Sequence, residues 1–256
     1  MNNISAKATA DAIVKASIGA FGGGLVGVYL HGSAAMGCWN AEKSDVDVII
    51  VVDGVPTDDE KLRFLGDIVD INSRATQKGV ELSVVRRDVC DPFIYPTPYE
   101  LHFSPYYAGL FRDDPDGYIN RLHGVDRDLA AHFTIINNYG ISLWGAPIPD
   151  VFGDVAREYY LDSIIFDVEN AREDVMKNPL YVVLNLCRVL GYMKDGLILS
   201  KRSGGQWGME NLPEKFRPLV EDAVLCYSGE KEMMYTENAS AFTEYALDMI
   251  EKLRRE

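Results

Sequence analysis

The sequence is poor in basic residues: 25 lysines and arginines stand against 39 aspartates and glutamates, and the net charge is −14. A protein that binds nucleic acid regardless of sequence needs clusters of lysine and arginine to displace counterions, and no such cluster is visible. The charge therefore argues against nucleic-acid partners. Acidic walls would attract a small cationic substrate, although acidity alone also keeps many proteins soluble.

Long hydrophobic runs are also missing. No stretch of eighteen apolar residues occurs, so we expect no transmembrane helix. The segment from Met1 to Ile4 lacks the basic and apolar regions of a secretory signal. Cysteines are few and scattered without the spacing of a metal site, at Cys38, Cys90, Cys187 and Cys226. These features favour a cytoplasmic protein with free thiols and no membrane partner.

The most informative segment begins with an apolar run, residues 25–30, which predicts a buried strand. Gly32 and Ser33 come almost directly after it. Glycine lets the backbone approach a ligand closely, and the N–H groups and the serine hydroxyl after a strand suit phosphate oxygens. A Gly-Ser pair alone is usually only a turn. The function of this pair therefore depends on the residues that accompany it.

Eleven residues later the chain reads Ser44-Asp45-Val46-Asp47 and enters a second apolar run, residues 46–52. Because side chains alternate along a strand, Asp45 and Asp47 point to the same face. Their charges repel each other, and a hard cation such as Mg²⁺ would compensate. The alternative is a solvated strand edge in which Asp45 caps a turn. The apolar run over 46–52 argues against a fully solvated edge.

A third carboxylate is predicted on another strand, residues 80–85, where apolar and polar residues alternate. Glu81 and Ser83 share one face of this strand. If it lies beside the strand that carries Asp47, Glu81 projects into the same cleft. It would then be a third metal ligand or a general base for an attacking hydroxyl.

Together these residues resemble the signature of the polymerase-β-like nucleotidyltransferase superfamily. Later segments are similar to the aminoglycoside adenylyltransferases that modify spectinomycin and streptomycin, namely residues 99–103, 128–133 and 184–190 and the pairs Ser200-Lys201 and Trp207-Gly208. The resemblance covers nearly the whole chain. It implies transfer of AMP from ATP, with Mg²⁺, to a hydroxyl of an aminoglycoside or aminocyclitol, the 9-hydroxyl in the case of spectinomycin.

The resemblance also implies roles for individual residues. The metal would be held by Asp45, Asp47 and Glu81, and Glu81 would also be the catalytic base. The residues implied to bind ATP are Gly32, Ser33, Ser44, Arg188, Lys201 and Tyr227. The residues implied to contact the drug are Glu81, Tyr106, Asp174 and Asn178.

Two of the drug-contact positions favour spectinomycin over streptomycin. Relatives that accept streptomycin resemble this chain but carry Trp at the position of Tyr106 and Asp at the position of Asn178, whereas Asp174 matches. Loss of one acidic contact and one aromatic platform would weaken binding of a drug that bears guanidinium groups. We therefore expect a preference for spectinomycin.

The chain is predicted to form two domains. Residues 1–153 are expected to be an α/β (α+β) nucleotidyltransferase domain with a mixed sheet, and residues 154–256 an all-α helical bundle. Helices are predicted near the N-terminus, with Ser5 as a cap candidate, from Thr57 onward, and over 129–139 with Asp128 as cap. In the C-terminal part they are predicted over 156–177, 180–194, 214–227 and 236–254.

Several alternatives stay open on sequence alone. The chain could be an enzyme of the same fold that acts on streptomycin, another hydroxylated metabolite or a protein, or an inactive module that keeps the fold as a partner surface. The histidines are interpreted as packing or hydrogen-bonding residues, because no histidine, cysteine and carboxylate set implies zinc. We expect a monomer.

Overall fold

The computed structural model describes residues 6–75 and 78–255. The chain divides into two compact units, the first ending at Tyr160 and the second beginning at Leu161. The division lies within a helix, whereas the boundary expected from the sequence lies at residue 153. Ser5, the candidate cap of the first helix, lies outside the described residues.

A five-stranded mixed sheet organises the first unit, as the sequence predicts. The strands of the described chain are β1 (Leu25–Leu30), β2 (Val46–Val52), β3 (Val80–Arg86), β4 (Thr97–Tyr99), β5 (Leu101–Phe103), β6 (Gly124–Asp126) and β7 (Ile141–Gly145). The main sheet has the order β5-β3-β2-β1-β7. Strands β2 and β3 run parallel, and the other neighbours run antiparallel. Strands β4 and β6 form a separate antiparallel pair.

Helices cover both faces of this sheet. Those that begin in the first unit are α1 (Ala6–Phe21), α2 (Gly32–Ala35), α3 (Asp58–Arg74), α4 (Ala108–Asp113), α5 (Pro115–Arg121), α6 (Leu129–Tyr139) and α7 (Arg157–Phe166). Ile13 of α1 and Phe64 of α3 pack against the face that carries Val48. Phe133 of α6 packs against the opposite face, which carries Ile49. Since side chains alternate along β2, the neighbour Asp47 belongs to the α6 face.

The start of α3 shows how local sequence sets a boundary. Thr57 and Glu60 form a capping box, in which the Glu60 N–H donates to Thr57 Oγ1 and the Thr57 N–H donates to Glu60 Oε2. These bonds satisfy N–H groups that a helix start leaves without partners. The predicted start of this helix is therefore confirmed.

The second unit is helical, as predicted. Its further helices are α8 (Ala171–Asp174), α9 (Pro179–Asp195), α10 (Lys201–Asn211), α11 (Arg217–Ser228) and α12 (Ala239–Leu253). The prediction of one continuous helix over 156–177 is wrong. The backbone N–H groups of Val168, Glu169 and Ala171 bond to the third residue before them, and this tightens the chain into turns between α7 and α8.

Several short elements have no clear signal in the sequence. Three prolines in the segment 91–98 predict a loop, but β4 begins at Thr97. Helices α4 and α5 are not indicated by apolar periodicity. Asp128 does precede α6, but its side chain makes no capping hydrogen bond. Within residues 6–75 and 78–255, no helix is both long and apolar enough to cross a membrane.

Candidate active site

Three carboxylates meet at one end of the parallel strands β2 and β3. Their register pairs Asp47 with Glu81 and Val46 with Val80. Asp45 lies one residue before β2, two residues from Asp47. One oxygen atom from each of Asp45, Asp47 and Glu81 lies within 4.8 Å of the other two. Strand register thus brings together the three residues that alternation and family resemblance single out.

The carboxylate cluster suits a hard divalent cation. All three residues are partly exposed, so a ligand can reach them. Carboxylate oxygens are ligands that Mg²⁺ accepts, and this ion usually keeps further positions for water and substrate phosphates. Three negative charges at this separation repel one another, and a cation would relieve that repulsion. The donor chemistry therefore fits magnesium.

The turn after β1 lies against Asp47. Gly32 has φ of +61°, and a Cβ atom at this position would lie 1.8 Å from Asp47 Oδ2. A larger residue would displace the carboxylate. The backbone N–H of His31 also donates to the carbonyl oxygen of Asp47 over 3.0 Å. Gly32 therefore allows the turn and the carboxylate to occupy neighbouring space.

Ser33 and Ser44 have different surroundings. Ser33 Oγ is enclosed and has no hydrogen-bond partner within the described part of the chain, which suits a hydroxyl that meets a ligand oxygen. Ser44 is buried, and its Oγ accepts a hydrogen bond from the Asn40 N–H over 3.1 Å. The Ser44 N–H donates to the Asn40 carbonyl over 2.8 Å. Ser44 thus stabilises the loop that leads to Asp45, and its contact with phosphate stays a prediction.

Two histidines lie beside the carboxylate cluster. His31 is 3% exposed, and its ring centroid lies 4.6 Å from that of His132 on α6. His132 Nε2 lies 3.3 Å from Asp128 Oδ2, one helical turn away. The sequence alone indicates packing or hydrogen-bonding roles for these rings. The sequence pattern that could have indicated the pair is the four-residue spacing of Asp128 and His132, which places both on one side of a helix.

Burial and charge act differently on the two rings. Burial, together with the charge of His132, holds the pKa of His31 well below its usual range. Burial also opposes protonation of His132, but the charge and hydrogen bond of Asp128 outweigh it. With smaller contributions from Glu81 and Asp47, they raise the pKa of His132 to about 10. His132 therefore lies within electrostatic reach of two carboxylates of the cluster.

A further histidine lies on the edge strand β5. His102 pairs with Ser83 across the sheet, and His102 Nδ1 lies 3.1 Å from Ser83 Oγ. Burial lowers the pKa of His102. The Tyr118 hydroxyl donates to the His102 carbonyl over 2.8 Å. This ring belongs to a hydrogen-bonded part of the core, in agreement with its sequence-based interpretation.

In the second unit, Arg188 is held by two hydrogen bonds. Its Nε donates to the Leu199 carbonyl and its Nη1 donates to Asn185 Oδ1, each over 2.8 Å. Asn185 has no signal in the sequence that singles it out. Its Nδ2 is enclosed without a hydrogen-bond partner within residues 6–75 and 78–255. Arg188 is partly exposed, and these two bonds fix its guanidinium.

Close helix packing determines where Arg188 lies. A Cβ atom on Gly204 of α10 would lie 2.7 Å from Arg188 Cγ and 3.3 Å from the Arg188 backbone N. Gly204 therefore allows α9 and α10 to approach closely at Arg188. Lys201 is the first residue of α10, and its Nζ lies 4.9 Å from the centre of the Tyr181 ring. The two proposed phosphate-binding cations thus lie on neighbouring helices.

The other candidate residues vary in exposure. Tyr227 of α11 is 8% exposed, so little of it can meet a nucleotide without rearrangement. Asp174 accepts a hydrogen bond from Lys177 Nζ over 3.1 Å. Asn178 is exposed just before α9. Tyr106 is 87% exposed and lies edge-on to the ring of Tyr107. Their roles toward ATP and drug stay predictions.

Comparison with known protein families matches both parts of the chain. Residues 14–104 match the model of the nucleotidyltransferase domain. Residues 150–252 match the model of the aminoglycoside adenylyltransferase C-terminal domain. The first match contains all three carboxylates, and the second contains Arg188 and Lys201.

Individual relatives agree with these matches. An aminoglycoside (3'') (9) adenylyltransferase of Escherichia coli is 25% identical over 86% of this chain and 84% of its own length. A spectinomycin 9-adenylyltransferase of Enterococcus faecalis is 26% identical over 90% of each chain. A crystal structure of a spectinomycin adenyltransferase with ATP and spectinomycin superposes with a TM-score of 0.82. It is 21% identical and covers 96% of this chain and 99% of that one. The last likeness shows that the fold is shared.

Proposed function

We propose that this chain, which belongs to the aminoglycoside adenylyltransferase family, transfers AMP from ATP to a hydroxyl of spectinomycin. Such a reaction modifies the antibiotic and confers resistance. The observation that carries the proposal is the in-register pairing of Asp47 with Glu81, with Asp45 beside them. In a chain whose helical part matches the antibiotic-modifying family, this cluster supplies the oxygen ligands that adenylyl transfer needs.

The carboxylate cluster is proposed to hold magnesium through Asp45, Asp47 and Glu81. When bound, Mg²⁺ would neutralise charge on the ATP phosphates, which is the main electrostatic demand of phosphoryl chemistry. The enclosed Ser33 hydroxyl and the turn at Gly32 are proposed to contact the triphosphate. Ser44 would contribute chiefly by stabilising the loop before Asp45.

Glu81 is proposed to be the general base as well as a metal ligand. Its carboxylate would accept the proton of the spectinomycin hydroxyl as that oxygen attacks the α-phosphorus of ATP. The new bond joins the drug oxygen to phosphorus, and the bond between the α-phosphorus and the bridging oxygen of the β-phosphate breaks. Pyrophosphate leaves with that oxygen, and the drug keeps AMP. Atoms and charge balance without a further reactant.

Arg188 and Lys201 are proposed to bind ATP phosphates. The support is the geometry around Arg188, a partly exposed residue whose guanidinium is fixed by Leu199 and Asn185. A fixed guanidinium loses little freedom when it binds an anion, so its interaction energy is largely retained. Tyr227 is proposed to lie near the nucleotide, to which a side chain that is 8% exposed offers little surface.

The proposed preference for spectinomycin concerns the residues around the drug. The family resemblance implies that Asp174 is retained as an acidic contact, whereas Tyr106 and Asn178 stand where streptomycin-modifying relatives would carry tryptophan and aspartate. The proposed site of modification is the 9-hydroxyl of spectinomycin. We further propose that the enzyme acts in the cytoplasm, where ATP is supplied, and as a monomer.

A pyrophosphate-release screen tests this proposal. The purified chain is incubated with Mg²⁺ and ATP, alone and with spectinomycin, streptomycin or another aminoglycoside. We expect release only when drug is added, and faster release with spectinomycin. Equal efficiency with streptomycin would remove the proposed preference. Thermal stabilisation by Mg²⁺ and ATP without release from any drug would favour another acceptor, and no stabilisation at all would favour a binding module.

A further inference from the structure

Two imidazole rings in tilted contact link helix α6 to the turn that lies against Asp47. His31 immediately precedes Gly32, and its backbone N–H donates to the Asp47 carbonyl over 3.0 Å. Its ring contacts His132 with planes inclined by 39°. His31 thus contacts His132 through its ring and Asp47 through its backbone, next to the turn at Gly32.

His132 is itself held from the start of α6. Its Nε2 lies 3.3 Å from Asp128 Oδ2. Asp128 is fixed in turn, because its backbone N–H donates to Asp126 Oδ1 over 2.8 Å and its carbonyl accepts from the His132 N–H over 3.1 Å. The Asp128 carboxylate makes no capping bond to α6, and its Oδ2 lies near the imidazole of His132.

A simple packing role does not explain this arrangement. Apolar side chains would fill the same layer without burying polar atoms, as Phe133 does beside His132. His132 Nδ1 is enclosed and has no hydrogen-bond partner among the described residues. An unsatisfied buried polar atom lowers stability, so a polar ring at this position needs another reason. The reason is the position of the ring near the carboxylate cluster, since the charges of Glu81 and Asp47 both favour its protonated form.

We propose that His132 is a positioning residue for adenylyl transfer. Held by Asp128, it fixes His31, and His31 fixes the Gly32–Ser33 turn and Asp47 in the arrangement that the metal and the phosphates need. His132 itself touches no reacting atom. This inference rests on the proposed function, because it concerns the same metal and nucleotide site.

Binding of Mn²⁺ with ATP to the purified full chain tests the inference without drug. The decrease of the electron paramagnetic resonance signal of free Mn²⁺ reports binding, and melting curves report folding. His132→Phe keeps a ring of similar size but deletes both nitrogens. His132→Gln keeps a donor that can reach Asp128, and Asp128→Asn removes the charge at the other end. His123→Gln, at an exposed histidine, is the matched control.

We expect His132→Phe and Asp128→Asn to weaken binding of Mn²⁺ with ATP by about 10- to 100-fold, the usual effect of losing a group that orients metal ligands. His132→Gln should lie closer to the wild type, and His123→Gln should match it. In steady-state assays, the KM for ATP should rise while the KM for spectinomycin is unchanged. If His132→Phe fails to fold, His132→Gln and Asp128→Asn decide the question.

The contradicting outcomes separate this inference from the proposed function. Wild-type affinity for Mn²⁺ and ATP in His132→Phe or Asp128→Asn, with only a lower melting temperature, would overturn the positioning role and leave the proposed function intact. Wild-type binding without any drug modification would overturn the proposed function alone. A wild-type chain that binds no Mn²⁺ with ATP would overturn both.

Discussion

The carboxylate cluster of the first unit and the Arg188 region of the second unit are built by different means. Asp47 and Glu81 meet because seven successive residues of β2 pair in register with seven of β3. Arg188 is placed because Gly204 lets two helices approach closely, and Asn185 and Leu199 then hold the guanidinium. A strand register follows from alternation along the chain, whereas a helix crossing depends on shapes from distant residues.

The largest effect is expected in the carboxylate cluster, which the pairing of β2 with β3 positions. Asp47→Asn removes a charge that faces the proposed metal while keeping nearly the same shape. Because metal charge neutralisation contributes several kcal/mol to such reactions, turnover should fall about 1,000-fold or more. The measurement is kcat for AMP transfer, together with Mn²⁺ affinity.

Asp53→Asn is the control for this variant, since Asp53 is exposed just beyond the opposite end of β2. It should retain wild-type turnover. If Asp47→Asn transferred AMP as fast as Asp53→Asn, the carboxylate cluster would not be the metal site.

The next effect concerns Glu81 in its proposed role as base. Glu81→Gln keeps an oxygen toward the metal but cannot accept the proton of the drug hydroxyl. Loss of a general base commonly slows turnover by about 100- to 10,000-fold. Binding of ATP and drug, measured by calorimetry, should be retained. Near-normal turnover in this variant would leave Glu81 as a ligand only.

A smaller effect is expected at Arg188, which the close packing of α9 and α10 positions. Gly204→Ala places a Cβ atom 2.7 Å from Arg188 Cγ and 3.3 Å from its backbone N. Overpacking of this kind costs roughly 1–3 kcal/mol, which exceeds the gain of about 1 kcal/mol from replacing glycine in a helix. We expect a lower free energy of unfolding by urea denaturation and a higher KM for ATP.

Gly66→Ala is the matched control. Gly66 is an exposed glycine inside α3, and a Cβ atom there would meet nothing within 4 Å. This substitution should stabilise the chain by about 0.5–1 kcal/mol and leave KM unchanged. If Gly204→Ala stabilised the chain equally, the close approach at Arg188 would not position that residue.

The smallest expected effect concerns the choice of drug. The double substitution Tyr106→Trp with Asn178→Asp restores the residues expected in streptomycin-modifying relatives. One acidic contact and a larger aromatic ring should raise kcat/KM for streptomycin by about 10- to 30-fold, since the two together contribute on the order of 1–2 kcal/mol. The spectinomycin rate serves as the internal reference. No gain for streptomycin would show that other residues set specificity.

The carboxylate cluster is well predicted by the sequence, because alternation and apolar runs are local patterns. Alternation places Asp45 and Asp47 on one face of their strand. It places Glu81 and Ser83 together on the polar face of the next strand. The apolar runs of 46–52 and 80–85 are elements of the right type in nearly the right places. The sequence leaves the adjacency of these strands as a condition, and the parallel pairing that brings the carboxylates together comes from the structure.

The remaining parts cannot be derived from local pattern. The helix predicted over 156–177 breaks because hydrogen bonds shift to i−3 near Val168, which apolar periodicity does not indicate. The pairing of His31 with His132 joins residues about a hundred positions apart. Glycine has a low helix propensity, so the sequence gives no reason for Gly204 inside a helix. The reason is the close approach of Arg188.

The mass of spectinomycin after incubation with the enzyme, Mg²⁺ and ATP tests the central claim most directly. We predict that the drug gains one AMP group in the presence of the wild-type chain, and that Asp47→Asn and Glu81→Gln slow this gain strongly while Asp53→Asn does not. Spectinomycin recovered unmodified, or carrying phosphate instead of AMP, would contradict adenylyl transfer by this chain.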